Sequence, residues 1–168
     1  ASLGEGWQLV WHDEFEQNTI DPTKWQHEVN CRGGGNDEQQ CYTARSENSF
    51  VESGLLHIVA RKEQYTGPLH NADGVTRDAE RALVATQPFT SARLRTKHLG
   101  DWRYGRFEVR AKLPVGQGAW PAIWMLPTDW HYGRWASSGE IDIMEAVNLN
   151  TQTDDKTAPA GSLETRVH

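Results

Sequence analysis

The chain has 168 residues, of which 37% are hydrophobic and 24% are charged, and its net charge is −6. This composition predicts a single globular domain over residues 1–168 and excludes a disordered chain. The negative charge argues against nucleic acid or an anionic membrane as a partner, and the longest apolar run, at residues 119–127, is too short to span a bilayer.

The first half of the chain alternates short apolar runs with turn-forming residues, which is typical of β-strands. The pair Ser53-Gly54 separates two of these runs and predicts a hairpin turn. Residues 63–80 are polar and contain Gly67-Pro68 and Asp73-Gly74, which indicates a long surface loop. The predicted strands are residues 8–15, 25–29, 49–52 and 55–62.

A polar loop is predicted at residues 30–42, around three consecutive glycines at 33–35. Cys31 and Cys41, the two cysteines of the chain, flank these glycines. A closely spaced, even pair of cysteines predicts a disulfide in a secreted protein, whereas two free thiols are the alternative. The pair has no Cys or His partner at zinc spacing, which argues against metal ligation.

The second half of the chain continues with strands, and residues 105–113 show the clearest alternation. From position 106 on, the even-numbered residues are charged and the odd-numbered residues are apolar, so each kind would occupy one face. Further strands are predicted at 91–97, 120–126 and 163–168, with a polar loop at 151–161.

Residues 139–146 interleave three carboxylates with aliphatic side chains, which indicates a strand that presents acids. In a regular strand Glu140 and Asp142 would share one face, and Glu145 would fall on the opposite, apolar face. Burial of an unpaired carboxylate there would cost several kcal/mol. One extra residue near positions 143–144, a β-bulge, returns Glu145 to the acid face. Bulges are frequent beside active sites, so we expect a bulged strand that carries three acids into a cleft.

Many short strands and almost no helical periodicity indicate an all-β, antiparallel sandwich. Acids grouped in a cleft suit glycoside hydrolysis, in which one carboxylate attacks the anomeric carbon and one carboxylic acid protonates the leaving oxygen. A solvated acidic strand face is the alternative interpretation of these residues taken alone.

The acidic strand from Glu140 to Glu145 resembles the catalytic signature of glycoside hydrolase family 16, in its bulged, laminarinase-type form. The resemblance implies a β-jelly roll with a concave, sugar-binding sheet. It also implies that Glu140 is the nucleophile, Glu145 the general acid/base, and Asp142 the residue that positions the nucleophile. Four further segments match family motifs, in family order over nearly the whole chain: Leu9–Phe15, Asn36–Thr43, Tyr104–Lys112 and Gly118–Pro127.

The resemblance implies, in addition, which residues hold the sugar. Asn36 would lie in the loop over the non-reducing side of the cleft, where its amide can donate and accept hydrogen bonds; an Asn that serves a glycine-rich turn is the alternative. Arg93 matches a family arginine that faces the cleft, although Arg95 shares its face by alternation and is the alternative contact. Aromatic faces stack on sugar rings, and the stacking candidates are Trp120, Trp124 and Trp135. For Trp120 and Trp124, a buried position in the core is the alternative.

Family 16 proteins often carry a structural calcium, and the positions that match its backbone ligands lie near Glu14 and Gly54. Two carbonyl groups alone are poor ligands for calcium, so the site would need a carboxylate from beyond this sequence. The sequence ends within a predicted strand at Val167-His168, and further strands follow in the family. We therefore expect the domain to lack its C-terminal strands, and a complementary C-terminal segment of the same protein to be a partner.

From these features we expect a secreted endo-β-1,3-glucanase that cleaves laminarin-type glucan with retention of configuration. The chemistry needs no cofactor, and polysaccharide is the expected partner. The chain begins at Ala1 without a signal peptide, as in a mature secreted protein. Mixed-linkage β-1,3-1,4-glucan or a marine galactan is the alternative substrate, and a non-catalytic β-glucan-binding protein is the alternative class.

Overall fold

The computed structural model describes residues 6–74, 77–151 and, for the backbone alone, 162–167. The chain divides into two compact units, Ala1–Asp101 and Trp102–His168. None of the helices in the described ranges has the length and apolar character needed to cross a membrane. The single-domain organisation stays a prediction, and most of the polar loop predicted at 151–161 lies outside the described residues.

The described part of the first unit forms three small sheets. Strand order in the largest is β2-β6-β5, with β2 parallel and β5 antiparallel to β6; the pairs β3–β4 and β1–β7 are antiparallel. The helical turns are Gly33–Gly35, Ala72–Gly74 and α1 (Asp78–Arg81). The strands are β1 (Gln26–His27), β2 (Gln40–Tyr42), β3 (Ser49–Glu52), β4 (Leu55–Ile58), β5 (Arg61–Pro68), β6 (Val84–Ser91) and β7 (Leu94–Arg95).

The predicted hairpin at Ser53-Gly54 is confirmed. Glu52 pairs with Leu55, so the connection between β3 and β4 has two residues. Their φ angles are 53° and 75°, both in the left-handed region that a tight hairpin of this kind requires.

The glycine loop is closed by the predicted disulfide between Cys31 and Cys41. Beside it, Asn30 and Tyr42 form an antiparallel bridge, with N–O distances of 3.2 and 2.7 Å. Gly33 has φ +68°, and a Cβ added there would lie 2.2 Å from the Glu38 backbone oxygen. Glycine is therefore required at this position by both conformation and space.

The fully buried side chains of the first unit include a polar group centred on Asn48. Its Oδ1 accepts a hydrogen bond from Thr43 Oγ1 at 2.5 Å, and its Nδ2 donates to Thr90 Oγ1 at 2.9 Å and to the Val59 carbonyl at 3.1 Å. Because these groups satisfy one another, their burial avoids the cost of unpaired polar atoms. The network joins β6 to the segments before β3 and after β4.

The strand predicted at residues 8–15 is wrong. A strand is defined by backbone pairing with a neighbour, and no described segment pairs with these residues. The segment is held by side chains instead: Asp13 Oδ2 accepts from Trp25 Nε1 at 2.8 Å, and Trp11 packs edge-on against Trp25 at 5.5 Å between ring centroids.

The surface loop predicted at residues 63–80 is also wrong over its first part, which belongs to β5. The polar residues of this part had suggested a loop. They form a strand instead, with side chains that alternate between exposed and less exposed positions. The hydroxyls of Thr66 and Thr86 lie 2.7 Å apart across the pair β5–β6. The predicted strand 55–62 is divided between β4 and β5, and 91–97 between the end of β6 and β7.

The clearest predicted strand, residues 105–113, has no strand pairing within the described part of the chain. Its side chains are largely exposed, with Phe107 at 38% and Val109 at 56% of full exposure. Alternation fixes which side chains would share a face, but the strand itself requires a partner.

The second unit contains one described sheet, antiparallel, in the order β10-β9-β8. The strands predicted at 120–126 and 163–168 are confirmed with shifted bounds, and His168 lies outside the described residues. The strands of this sheet are β8 (Ala122–Met125), β9 (Ile141–Val147) and β10 (Ser162–Val167).

Candidate active site

The predicted bulge in the acidic strand is confirmed by the register of β9 against β8. Glu145 lies opposite Ala122 and Asp142 opposite Trp124, so three steps on β9 correspond to two steps on β8. The same shift is seen against β10. Ala122 and Trp124 are two residues apart in a strand and share a face, so their partners Asp142 and Glu145 also share a face. Ile143 is the residue without a partner on β8.

Glu140 directly precedes β9 and stands two residues before Asp142. Asp142 is buried, with 5% of its surface exposed, whereas Glu140 and Glu145 are half-buried. The two glutamates therefore retain contact with solvent on either side of a buried aspartate.

Each of the two glutamates accepts a hydrogen bond from a tryptophan. Trp120 Nε1 donates to Glu145 Oε1 at 2.8 Å, and Trp135 Nε1 donates to Glu140 Oε2 at 2.8 Å. Both tryptophans were predicted from the sequence as stacking residues, whereas these hydrogen bonds were not predicted.

Backbone pairing that continues beyond β8 fixes the position of Trp120. The Ala146 N–H donates to the Pro121 carbonyl at 3.1 Å, and the Asn148 N–H donates to the Ala119 carbonyl at 3.0 Å. Trp120 is thus held beside the end of β9, where its indole reaches Glu145.

Trp135 lies in the loop before β9, which Ser138 braces from within. Ser138 Oγ donates to the Gly133 carbonyl at 2.6 Å and accepts from the Tyr132 N–H at 3.0 Å. A turn bond from Gly139 N–H to the Ala136 carbonyl, at 2.9 Å, leads the chain into Glu140. The serine is a supporting residue that no sequence motif had indicated.

The three predicted stacking residues differ in exposure. Trp120 and Trp135 are 49% and 63% exposed. Trp124 is half-buried in β8, opposite Asp142. The first two therefore present open aromatic faces, whereas Trp124 is packed beside the buried aspartate.

Asn36 and Arg93 lie in the first unit. Asn36 is exposed after the glycine turn, and its Nδ2 donates to Glu38 Oε1 at 3.0 Å. Arg93 Nε lies 3.5 Å from Glu28 Oε2, and its guanidinium lies 5.7 Å from the ring centre of Tyr42. The pKa of the Tyr42 hydroxyl is raised, and burial is the largest cause.

Arg93 also borders a polar cavity of about 230 Å³ in the first unit. Arg95, the alternative contact, is engaged by Glu28 at 3.6 Å and by Asp73 at 2.5 Å. The other residues that line the cavity could not be predicted from the sequence, because only folding brings their distant segments together. They are Glu28, Asn30, Arg32, Gly34, His70 and Asn71.

The predicted calcium positions do not form a ligand set by themselves. Glu14 is exposed, with its carboxylate 3.9 Å from His12 Nδ1, and Gly54 lies in the β3–β4 turn. Within the described ranges, no three His, Cys, Asp or Glu side chains group closely enough to hold a metal ion.

Comparison with known proteins places these features in one family. Residues 72–160 match the family model of the XgeA-like, catalytic GH16 domain. The chain is 47% identical over 148 residues to a beta-glucanase of Rhodothermus marinus, covering 86% of this chain and 45% of that protein. It is 44% identical over 140 residues to a glucan endo-1,3-beta-glucosidase of Cryptopygus antarcticus, covering 83% and 46%.

Among solved structures, the laminarinase from Rhodothermus marinus matches with a TM-score of 0.69 and 46% identity, covering 84% of this chain and 51% of that one. This similarity confirms the predicted all-β, jelly-roll fold class. The chain spans about half the length of the relatives that it matches.

Proposed function

The chain belongs to glycoside hydrolase family 16, and on that premise we propose that it is the catalytic part of a secreted endo-β-1,3-glucanase that hydrolyses laminarin-type glucan with retention of configuration. The observation that carries this proposal is the bulge in β9, which puts Asp142 and Glu145 on one face, with Glu140 two residues before Asp142. Two half-buried carboxyl groups beside a buried one suit double displacement.

In the first step a carboxylate oxygen of Glu140 forms a bond to the anomeric carbon. The glycosidic carbon–oxygen bond breaks, and the leaving oxygen takes the proton of the Glu145 carboxyl group. The product is a glycosyl ester on Glu140, and Glu145 is left ionised.

In the second step the Glu145 carboxylate takes a proton from water as the water oxygen attacks the anomeric carbon. The bond to Glu140 breaks, the sugar leaves with its original configuration, and both glutamates return to their starting states. Asp142 is assigned to position Glu140, from a buried place two residues further along.

In the second unit the sugar would be held by aromatic faces. Trp120 and Trp135 present the exposed faces on which pyranose rings stack. In the first unit, Arg93 and Asn36 stay the predicted hydrogen-bonding contacts, and Arg93 borders a polar cavity of about 230 Å³. Trp124 is half-buried, so it would contribute less to sugar binding than the other two tryptophans.

Secretion is supported by the Cys31–Cys41 disulfide, since such bonds persist in oxidising compartments. The mechanism above uses no cofactor. The structural calcium at the carbonyls near Glu14 and Gly54 stays a prediction, and no step depends on it.

The test is a panel of polysaccharides incubated with the complete protein: laminarin, mixed-linkage β-1,3-1,4-glucan, agarose and carrageenan. Reducing-sugar release measures the rate, product lengths distinguish endo from exo cleavage, and proton NMR records the first anomer formed. We expect fastest release from laminarin, products of several lengths, and the β-anomer first.

Other outcomes would change the assignment. Faster release from another polymer would replace the substrate, and an α-anomer formed first would refute double displacement. Binding of laminarin without hydrolysis would identify a glucan-binding protein, the alternative class.

A further inference from the structure

Trp120 and Trp135 each donate an indole hydrogen bond to one oxygen of a catalytic glutamate, and we propose that these bonds decide which carboxyl oxygen of each glutamate reacts. In this view both tryptophans are positioning residues as well as sugar platforms. The inference rests on the proposed glycosidase function, because it concerns the same two glutamates.

The geometry is specific for one oxygen of each side chain. Glu145 Oε1 accepts from Trp120 and Glu140 Oε2 accepts from Trp135, each at 2.8 Å. Within the described residues no hydrogen-bond donor reaches the second oxygen of either glutamate. Those second oxygens, Oε2 of Glu145 and Oε1 of Glu140, are the ones left to meet the substrate.

The chemistry of the indole N–H determines which oxygen of the glutamate carries the proton. The Trp Nε1–H donates only and does not titrate, so it cannot exchange a proton with the glutamate. When Glu145 is a carboxylic acid, its carbonyl oxygen is the stronger acceptor, so the indole bond favours the form in which the carbonyl oxygen faces Trp120. The proton is therefore placed on Oε2, where it can pass to the leaving oxygen.

The same rule holds for Glu140 in both steps. Ionised Glu140 keeps Oε2 on Trp135 and attacks with Oε1. In the glycosyl ester, Oε1 carries the sugar and Oε2 is the carbonyl oxygen, which can still accept the indole bond. Neither bond has to break during the cycle, so each orients its glutamate throughout.

The exposure of the two indoles allows each to stack on a sugar ring and to position its glutamate. Trp120 is 49% exposed and Trp135 63%, so each can offer a ring face while its edge N–H is engaged. The edge bond fixes the direction of that face relative to the glutamate, and hence the place of a stacked sugar relative to the reacting oxygen.

Trp120→Phe and Trp135→Phe test the inference, because they keep an aromatic face and delete the N–H. A hydrogen bond to an ionised group, such as the Glu140 carboxylate, corresponds to about a 10- to 100-fold effect on rate, and one to a neutral group, such as the protonated Glu145, to about a 3- to 10-fold effect. We expect kcat on laminarin to fall by the first factor in Trp135→Phe and by the second in Trp120→Phe, with KM changed less than about threefold. Trp7→Phe is the matched control, since Trp7 is 51% exposed and donates no indole bond within the described residues.

An activated aryl glycoside separates the two roles. Its leaving group needs little protonation, so the loss in Trp120→Phe should shrink when kcat/KM is measured on this substrate. The loss in Trp135→Phe should persist, because the nucleophile is needed with either leaving group.

A readout independent of activity is the indole N–H resonance in ¹⁵N-labelled protein. Glu145→Gln should shift the Trp120 signal and leave that of Trp135, and Glu140→Gln should do the reverse. The inference is overturned if both Phe variants match Trp7→Phe in kcat, or if neither indole responds to its glutamate. A protein inactive on every glycan would refute the proposed function, and the two resonances would still decide the pairing.

Discussion

Asp142 and Glu145 are three residues apart in sequence and nevertheless share one face of β9, because Ile143 has no partner on β8. A regular strand would send them to opposite faces. The bulge thus converts an irregular acid spacing into a surface on which three carboxyl groups can act together.

The first prediction concerns the two glutamates. Glu140→Gln and Glu145→Gln should each lower kcat on laminarin by at least about 100-fold, because the amide neither attacks the anomeric carbon nor transfers the proton. Both side chains are half-buried and isosteric with their replacements, so the melting temperature should change little.

Reducing-sugar release and thermal melting by circular dichroism measure these effects. Glu52→Gln, an exposed acid at the end of β3, is the control and should remain active. Near-normal activity in either glutamate variant would remove that residue from the proposed mechanism.

The acid face could be predicted from sequence because the conflict that reveals it is local. Burial of an unpaired Glu145 carboxylate in an apolar layer would destabilise the fold, and one inserted residue returns the side chain to the acid face. The disulfide and the Ser53-Gly54 hairpin were predictable for the same reason, since each depends on neighbours in sequence.

Features that depend on distant pairing were not predictable. Residues 105–113 alternate as a strand should, but strand formation depends on a partner that their own sequence does not specify. Conversely, β5 looked like a loop because its polar residues suit an exposed strand face equally well. The bond from Trp135 to Glu140 requires the loop braced by Ser138, and spacing alone does not reveal such a brace.

The second prediction concerns the buried polar network. Asn48→Ala removes a partner from the hydroxyls of Thr43 and Thr90, which are both buried. The Thr43 hydroxyl loses its acceptor, whereas Thr90 keeps its hydrogen bond to Glu63. One unsatisfied buried group costs about 1–3 kcal/mol, and with the loss of the other hydrogen bonds of Asn48 the free energy of unfolding should fall by about 2–4 kcal/mol. Urea unfolding measures the change, and Asn18→Ala, at an exposed position, should leave it nearly unaltered. A loss below about 0.5 kcal/mol in Asn48→Ala would contradict this account.

The third prediction is a pH dependence that arises from Glu63. A hydrogen bond from Thr90 Oγ1, at 2.5 Å, and one from Arg45 hold the pKa of the Glu63 carboxyl group below its ordinary value of 4.5. The folded protein thus binds the Glu63 proton less readily than the unfolded chain. The ionised group stabilises the fold above about pH 4.5, and this contribution is lost as the pH falls through the folded-state pKa.

Glu63→Gln abolishes that titration. The difference in free energy of unfolding between wild type and Glu63→Gln should therefore be largest near neutral pH and narrow as the solution is acidified below about pH 4.5. Urea unfolding at a series of pH values measures the difference, with Glu16→Gln as an exposed control. A difference that stays constant from neutral to acid pH would show that the Thr90 and Arg45 bonds do not favour the ionised form.

The last prediction tests the bulge by deletion. Removing either Ile143 or Met144 leaves Asp142 and Glu145 two positions apart, which a regular strand places on the same face. Removing both makes the two acids neighbours and turns Glu145 to the opposite face. Each single deletion should lose activity on laminarin through misplacement of Glu145 but remain clearly more active than Glu145→Gln, whereas the double deletion should be as inactive as Glu145→Gln. Melting curves for all three variants establish that the protein still folds cooperatively. Equal activity in the single and double deletions would mean that the face occupied by Glu145 does not control the reaction.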